Sequence, residues 1–206
     1  GAKPLRPPIP GIDHPRIATL RSVQDADRIR SLVGTGGSVV VVGGGFIGVE
    51  LAENLRERGL SVTLVEAMPH ILPIFDTDMI SLLEDELRRH GVELALGDGV
   101  AGFEEQEDGG ICVRLSSGRT VHGDFVALAI GVRPDTTFLD GSGIALGERG
   151  HILVNEYMQT NIPHVYAVGD AVLTRSAQTG KATALPLAGP ANRQARLAAD
   201  RMAGEA

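Results

Sequence analysis

"VVVVGGGFIGVE", residues 39–50, runs four valines into three glycines and restarts at once in a helix-like pattern. A strand that stops on residues that weaken regular structure needs a reason. Either the turn is one that only glycine tolerates, or something must approach the backbone closely there. The flanks frame the choice. "SVVVVG" reads as a fully buried strand, and Ile47, Leu51 and Leu55 then recur at helical spacing, with charges opposite and Gly59 closing the helix. "LSVTLVE" (60–66) is a second buried strand. Strand, helix and strand within about 30 residues form a βαβ unit, and near-continuous apolar strands imply a parallel sheet covered on both sides.

Gly43-x-Gly45-x-x-Gly48 sits where a dinucleotide fingerprint has to sit. In that geometry Gly43 permits the tight turn, Gly45 lets the backbone approach a pyrophosphate, and Gly48 lets helix pack on strand. The helix N-terminus adds unpaired N–H donors and the positive end of a dipole. The motif alone is also compatible with a glycine-rich turn that holds no ligand. Glu66 shifts the balance: it ends the second strand 18 residues past Gly48, near the offset of about 20 expected for an acid that binds a ribose 2′-OH. A carboxylate there repels a 2′-phosphate, and the following "AMPH" offers no Arg or Lys to receive one. NADH is therefore expected over NADPH. Glu50 lies on the first turn of the helix, where carboxylates are often only dipole partners. Phe46, inside the loop, is either core or the cover of a planar ring.

Composition narrows the class. The chain has 206 residues, 43% hydrophobic and 22% charged, as in ordinary globular proteins. A net charge of −7 argues against a nucleic-acid or anionic-membrane partner, since both need a basic face. No stretch approaches the ~20 apolar residues of a membrane span. The single cysteine, Cys112, suits a reducing cytoplasm. It lies in a hairpin strand with no neighbouring helix N-terminus or base, so an inert thiol is expected. Six scattered histidines lack metal-ligand spacing, and no metal is inferred. "EEQED" (104–108) reads as a solvated hairpin tip, and Arg193, Arg196 and Arg201 as an exposed helix face.

The rest of the chain completes an α/β pattern. The proline-rich start is an extended lead-in. "SVQDADRIRSLV" (22–33) is a helix with Ser22 as N-cap, stopped by "GTGG". Residues 76–90 form a second amphipathic helix and "GVELALG" a third strand. Residues 100–122 alternate around Gly109-Gly110 and Ser117-Gly118, which predicts antiparallel hairpins. "DFVALAIG" (124–131) is another buried strand. Two short strands follow, the second being "HVYAVG", and then a helix after Pro190 with Ala191, Ala195, Ala198 and Met202 on one side.

"VVVVGGGFIGVELAENLRERGLSVTLVE", "ALAIGVRPDT" and "TNIPHVYAVGD" occur in that order. Together they resemble the flavin-dependent pyridine nucleotide–disulfide oxidoreductases. The lead-in "GAKPLRPPIPGID", "TLRSVQDADRI" and "LPLAGPANRQARLAAD" are similar to the branch of coenzyme A disulfide reductase, NADH oxidase, NADH peroxidase and persulfide reductases. The resemblance implies that Gly43, Gly45, Ile47 and Gly48 hold the NADH pyrophosphate and Glu66 the adenosine ribose. It makes Phe46 an aromatic lid over the flavin, and places Glu50 near the nicotinamide end and Gly131 beside the bound nucleotide. Gly169 and Asp170 of "YAVGD" would belong to FAD, Asp170 accepting from its ribityl chain. The helix after Leu187 and Ala188 would point its N-terminus at the flavin.

The implied fold is a Rossmann-type parallel sheet with an antiparallel hairpin insertion, plus an incomplete second Rossmann-like (FAD) domain. Residues 1–15 are read as an FAD-domain lead-in, 16–154 as the NAD(H)-binding domain and 155–206 as the C-terminal part of the FAD domain. The family's first FAD fingerprint, its redox cysteine and its dimerisation domain have no counterpart here. The chain is thus expected to be a piece of a homodimeric enzyme, inactive alone, with no catalytic residue of its own. Two other readings stay open: a nucleotide-binding regulatory module without redox chemistry, and a dehydrogenase acting directly on a small substrate. The second lacks a Tyr-x-x-x-Lys, and the terminal electron acceptor is not specified by these residues.

Overall fold

The computed structural model describes residues 1–34 and 37–204. Thr35 and Gly36 of the "GTGG" stop, and the last two residues of the 155–206 segment, lie outside the described residues. The chain forms two compact units, Pro4–Gly131 and Gly1–Lys3 with Val132–Ala206.

Ala2–Pro4 (β1) is extended, as the proline-rich start requires. Ile17–Thr19 (β2), Val23–Leu32 (α1), Ser38–Val42 (β3), Phe46–Glu57 (α2), Ser61–Glu66 (β4), Thr77–Arg89 (α3) and Val92–Leu96 (β5) follow. Then come Val100–Glu105 (β6), Ile111–Leu115 (β7), Thr120–Gly123 (β8) and Phe125–Leu128 (β9). Ser22 caps α1 as expected, within a reciprocal box. Its hydroxyl accepts from the Asp25 N–H at 3.2 Å, and the Asp25 carboxylate accepts from the Ser22 N–H at 3.0 Å.

In the unit Pro4–Gly131, a five-stranded sheet has the order β2-β9-β3-β4-β5, with every pair parallel. Its two faces explain the valine run. Val39 and Val41 pack with Leu51, Leu55, Ile80 and Leu87 of the helices. Val40 and Val42 pack with Phe103, Ile111, Val113 and Leu115 of the hairpins. All four valines are buried, each worth about 1.5–3 kcal/mol of transfer free energy. The sheet is covered on both sides, but one cover is the antiparallel sheet β6-β7-β8 rather than helices.

Two details differ from the sequence reading. β2 is unmarked by periodicity because three residues are too few to show one. Ile47 is 38% exposed and does not share the buried face of α2, which is Gly48, Leu51, Ala52 and Leu55. Gly48 is the residue that meets the sheet, so the position before it turns outward.

The other unit holds Val132–Pro134 (β10, paired with β1), a 3-10 turn at Thr137–Leu139, Ile152–Leu153 (β11), Val172–Arg175 (β12), Ala182–Thr183 (β13) and Ala188–Ala203 (α4). Its buried cluster is small: Ile152, Ala171 and Val172. "HVYAVG" is not a strand; it contributes an isolated bridge between Gln159 and Tyr166. Gly169 and Asp170 therefore form a turn before β12, not the end of a strand. Of the expected α4 face only Ala198 is buried, and Met202 is 62% exposed. Alanines bury too little surface to hold a helix face down by themselves.

Candidate functional site

β3 lies at the centre of the parallel sheet. It connects through α2 to β4 on one side and pairs with β9 on the other. The glycine loop leaves the carboxyl end of β3, the side on which open α/β sheets take ligands.

The glycines of this loop have different reasons to be glycine. Gly43 has φ +108, and a Cβ on it would lie 2.4 Å from the Ala129 carbonyl oxygen at the end of β9. Gly48 carries the helix against the strand: a Cβ there would lie 1.8 Å from the Gly43 carbonyl oxygen. Gly45 is the exception. A Cβ on it would meet nothing within 4 Å, and its backbone is ordinary extended, φ −76 and ψ −177. Among the described residues no atom requires glycine at that position. Gly45 is also the N-cap of α2 and makes no side-chain cap. The first N–H groups of a helix have no acceptor within it, so donors collect beside an open space.

Glu66 faces the same loop from the end of β4. Its Oε2 accepts from the Gly44 N–H at 2.6 Å and its Oε1 from the Met68 N–H at 2.8 Å. Each carboxylate oxygen has further lone pairs, so a diol could be accepted without breaking either bond. Phe46 is 45% exposed and meets Phe75 edge-on, with centroids 6.1 Å apart. Ile47 is exposed on the first turn of α2; Glu50, expected on that turn, is the fifth residue of the helix and lies just beyond it, exposed, and among the described residues no side chain pairs with its carboxylate. Gly131, φ +105, follows the β9 loop, and its carbonyl accepts from the Leu5 N–H at 3.0 Å.

The remaining sequence-derived residues belong to the other unit. Gly169 has φ +84, and its N–H donates to Gln194 Oε1 on α4 at 2.8 Å, which ties the turn to that helix. Asp170 is half-buried, and its carboxylate has no hydrogen-bond partner among the described residues. Leu187 is the N-cap of α4 without a side-chain cap, and Leu187 and Ala188 are both exposed.

Gly44 and Phe75 belong to the site and are not singled out by the sequence reading. Gly44 holds Glu66, and a Cβ on it would lie 2.8 Å from Ile71 Cγ2; a fourth glycine, at a variable position of the fingerprint, is the available signal. Nothing local marks Phe75 as the partner of Phe46, since the two lie 29 positions apart.

Cys112 is buried in β7, where burial first and Glu104 second push its thiol pKa up. It should stay protonated at neutral pH. Ellman's reagent is expected to label it only on unfolding; rapid labelling of the folded chain would contradict an inert role. Among the described residues no group of three or more His, Cys, Asp or Glu could hold a metal ion, and no helix is long and apolar enough to cross a membrane.

Comparison with known proteins bears on this geometry. The family model described as pyridine nucleotide-disulphide oxidoreductase matches residues 1–195. An NADH oxidase of Enterococcus faecalis is 37% identical over 198 residues, 96% of this chain and 44% of the relative. The reduced CoADR-RHD structure of Bacillus anthracis superposes with TM-score 0.90 at 46% identity, covering 99% of this chain and 37% of that one. The water-forming NADH oxidase of Lactobacillus brevis bound to NADH gives TM-score 0.90 at 32% identity, covering 98% and 44%. The chain thus spans less than half the length of these relatives.

Proposed function

The chain belongs to the pyridine nucleotide-disulphide oxidoreductase family, and on that premise we propose that it is the NADH-binding portion of an FAD-dependent oxidoreductase. The observation that carries the reading is the contrast among the glycines. Gly43 and Gly48 are demanded by the chain's own atoms, whereas Gly45 borders open space beside unpaired helix donors. A pyrophosphate fits such a cradle.

In this reading Gly43, Gly45, Ile47 and Gly48 line the pyrophosphate seat, and Glu66 accepts from the adenosine ribose. Glu50 lies near the nicotinamide end and Gly131 beside the bound nucleotide, and Phe46 covers the approach to the flavin. Asp170, half-buried and without a partner among the described residues, and the α4 N-terminus at Leu187 and Ala188, which has no side-chain cap, fit an FAD site, with Gly169 shaping the turn. When bound, NADH would supply a hydride to FAD, and the electrons would pass on to a disulfide, persulfide, peroxide or oxygen. The chain's own part is to hold, orient and shield. The NADH-site residues from Gly43 to Gly131 fall in the unit Pro4–Gly131, and the FAD-site residues from Gly169 to Ala188 in the other. The intact enzyme adds the remainder of the FAD domain, a redox cysteine and a dimerisation domain, and works as a homodimer in the cytoplasm. The relatives named above are redox enzymes, so nothing favours a regulatory module.

NADH titration followed by nucleotide fluorescence tests the reading. Glu66→Ala is expected to weaken binding about tenfold, and Glu66→Arg to turn the preference toward NADPH. Glu66→Gln, which can still accept from the Gly44 N–H, should fall between. Unchanged affinity in both the Ala and Arg variants would overturn the ribose assignment.

A further inference from the structure

Glu84, in the middle of α3, is only 4% exposed and has no part in the nucleotide site described above. Burying a carboxylate is costly unless its oxygens are paired. Here they are. Oε1 accepts from the Ile71 N–H at 3.2 Å and lies 3.2 Å from His70 Nδ1, while Oε2 lies 3.5 Å from Arg88 Nη2. Arg88 is one helical turn away and would serve a surface glutamate equally well. The Ile71 bond is different, because it reaches out of the helix to the backbone of the segment that follows Glu66.

That segment is the back wall of the glycine loop. Ile71 is fully buried, and its Cγ2 occupies the space a Cβ on Gly44 would need. The Leu72 N–H donates to the Gly44 carbonyl at 2.8 Å. Leu72 has φ +45, a backbone conformation a leucine adopts only when its surroundings impose it. Gly44 in turn donates to Glu66 Oε2, and Met68, at the start of the segment, donates to Glu66 Oε1. One buried carboxylate thus pins the outer side of a segment whose inner side sets both ends of the Glu66 carboxylate.

From this chain of contacts we infer that Glu84 is a positioning residue for nucleotide recognition. Through Ile71 and Leu72 it fixes Gly44, and thereby aims Glu66, so that it helps to set the preference for NADH over NADPH. The inference rests on the function proposed above. A purely structural role would lower stability and leave the ratio of the two affinities unchanged.

The test compares Glu84→Asp, which keeps the charge but withdraws the acceptor by one methylene, with Glu84→Gln, which keeps an acceptor for the Ile71 N–H. Both substitutions are small enough to leave α3 folded, and thermal unfolding verifies this. Fluorescence titration of the whole chain with NADH and with NADPH gives the affinity ratio for each variant. Glu84→Asp is expected to reduce the NADH preference about tenfold, the equivalent of one lost charge-assisted hydrogen bond. Glu84→Gln should retain it. In a Glu66→Ala background, Glu84→Asp should change the ratio no further, because the two residues act along one path. Hydrogen exchange should show the Leu72 amide losing protection in Glu84→Asp while Val40 and Val41 keep theirs. A parental ratio in Glu84→Asp, or equal losses in the Asp and Gln variants, overturns the inference and leaves the proposed function standing. Failure of the unaltered chain to bind NADH overturns both.

Discussion

Gly45→Ser is expected to weaken NADH binding by about a hundredfold while leaving the unfolding temperature unchanged or slightly raised. The two effects have opposite signs for one reason. Gly45 is an N-cap with ordinary dihedrals, and a Cβ on it would have no neighbour within 4 Å, so the folded chain accepts serine without strain. Serine is also among the best N-cap residues, because its hydroxyl accepts from the N–H groups of the first turn. Those are the donors a pyrophosphate needs, and the new side chain occupies the space it would enter. Losing two charge-assisted hydrogen bonds corresponds to about 3 kcal/mol, or roughly a hundredfold in affinity. Calorimetric titration with NADH and a melting curve on the same sample decide the matter. Undiminished binding would reduce the loop to a turn.

Gly43→Ala should behave in the reverse manner, with fold and binding failing together. Its φ of +108 is disfavoured for any residue with a Cβ, and that Cβ would lie 2.4 Å from the Ala129 oxygen and 2.7 Å from the Ala129 carbonyl carbon. The obstacles are backbone atoms at the end of a central strand, so no side-chain rotation relieves them. Strain of this kind costs about 3 kcal/mol or more, which lowers the melting temperature by roughly 10 °C in a domain of this size. Circular dichroism melts of the two glycine variants side by side are the measurement. If Gly43→Ala melts with the parent, the account of the tight turn is wrong.

The sheet, its helices and the hairpins were legible in the sequence because each leaves a local signature. The valines of β3 are apolar at every position since both faces of the strand are buried, and the turns at Gly109 and Ser117-Gly118 separate the hairpin strands. The fingerprint and Glu66 were legible because their spacing reflects one geometry. What escaped was long-range. β2 is recognisable as a strand only through its pairing with β9. Glu84 looks like any helical glutamate until Ile71 is seen beside it. "HVYAVG" has strand composition, yet a small unit whose buried cluster is Ile152, Ala171 and Val172 pairs only one of its residues as a bridge. Composition reports preference, and the available partners decide whether the preference is realised.

The place of β9 in the sheet also dictates an order of assembly. β3, β4 and β5 are neighbours in sequence and can pair early through short crossovers. β9 must slot between β2 and β3, and Asp124, the residue just before it, takes hydrogen bonds from the N–H and hydroxyl of Ser38, 86 positions earlier in the chain. β2 has no other neighbour in the sheet, so it cannot dock until β9 arrives. Closing a loop of that length costs entropy before any contact repays it. Gly43 leans on the residue just beyond β9, so the glycine loop cannot take its final shape until β9 has closed onto β3, and β2 completes the sheet only after that.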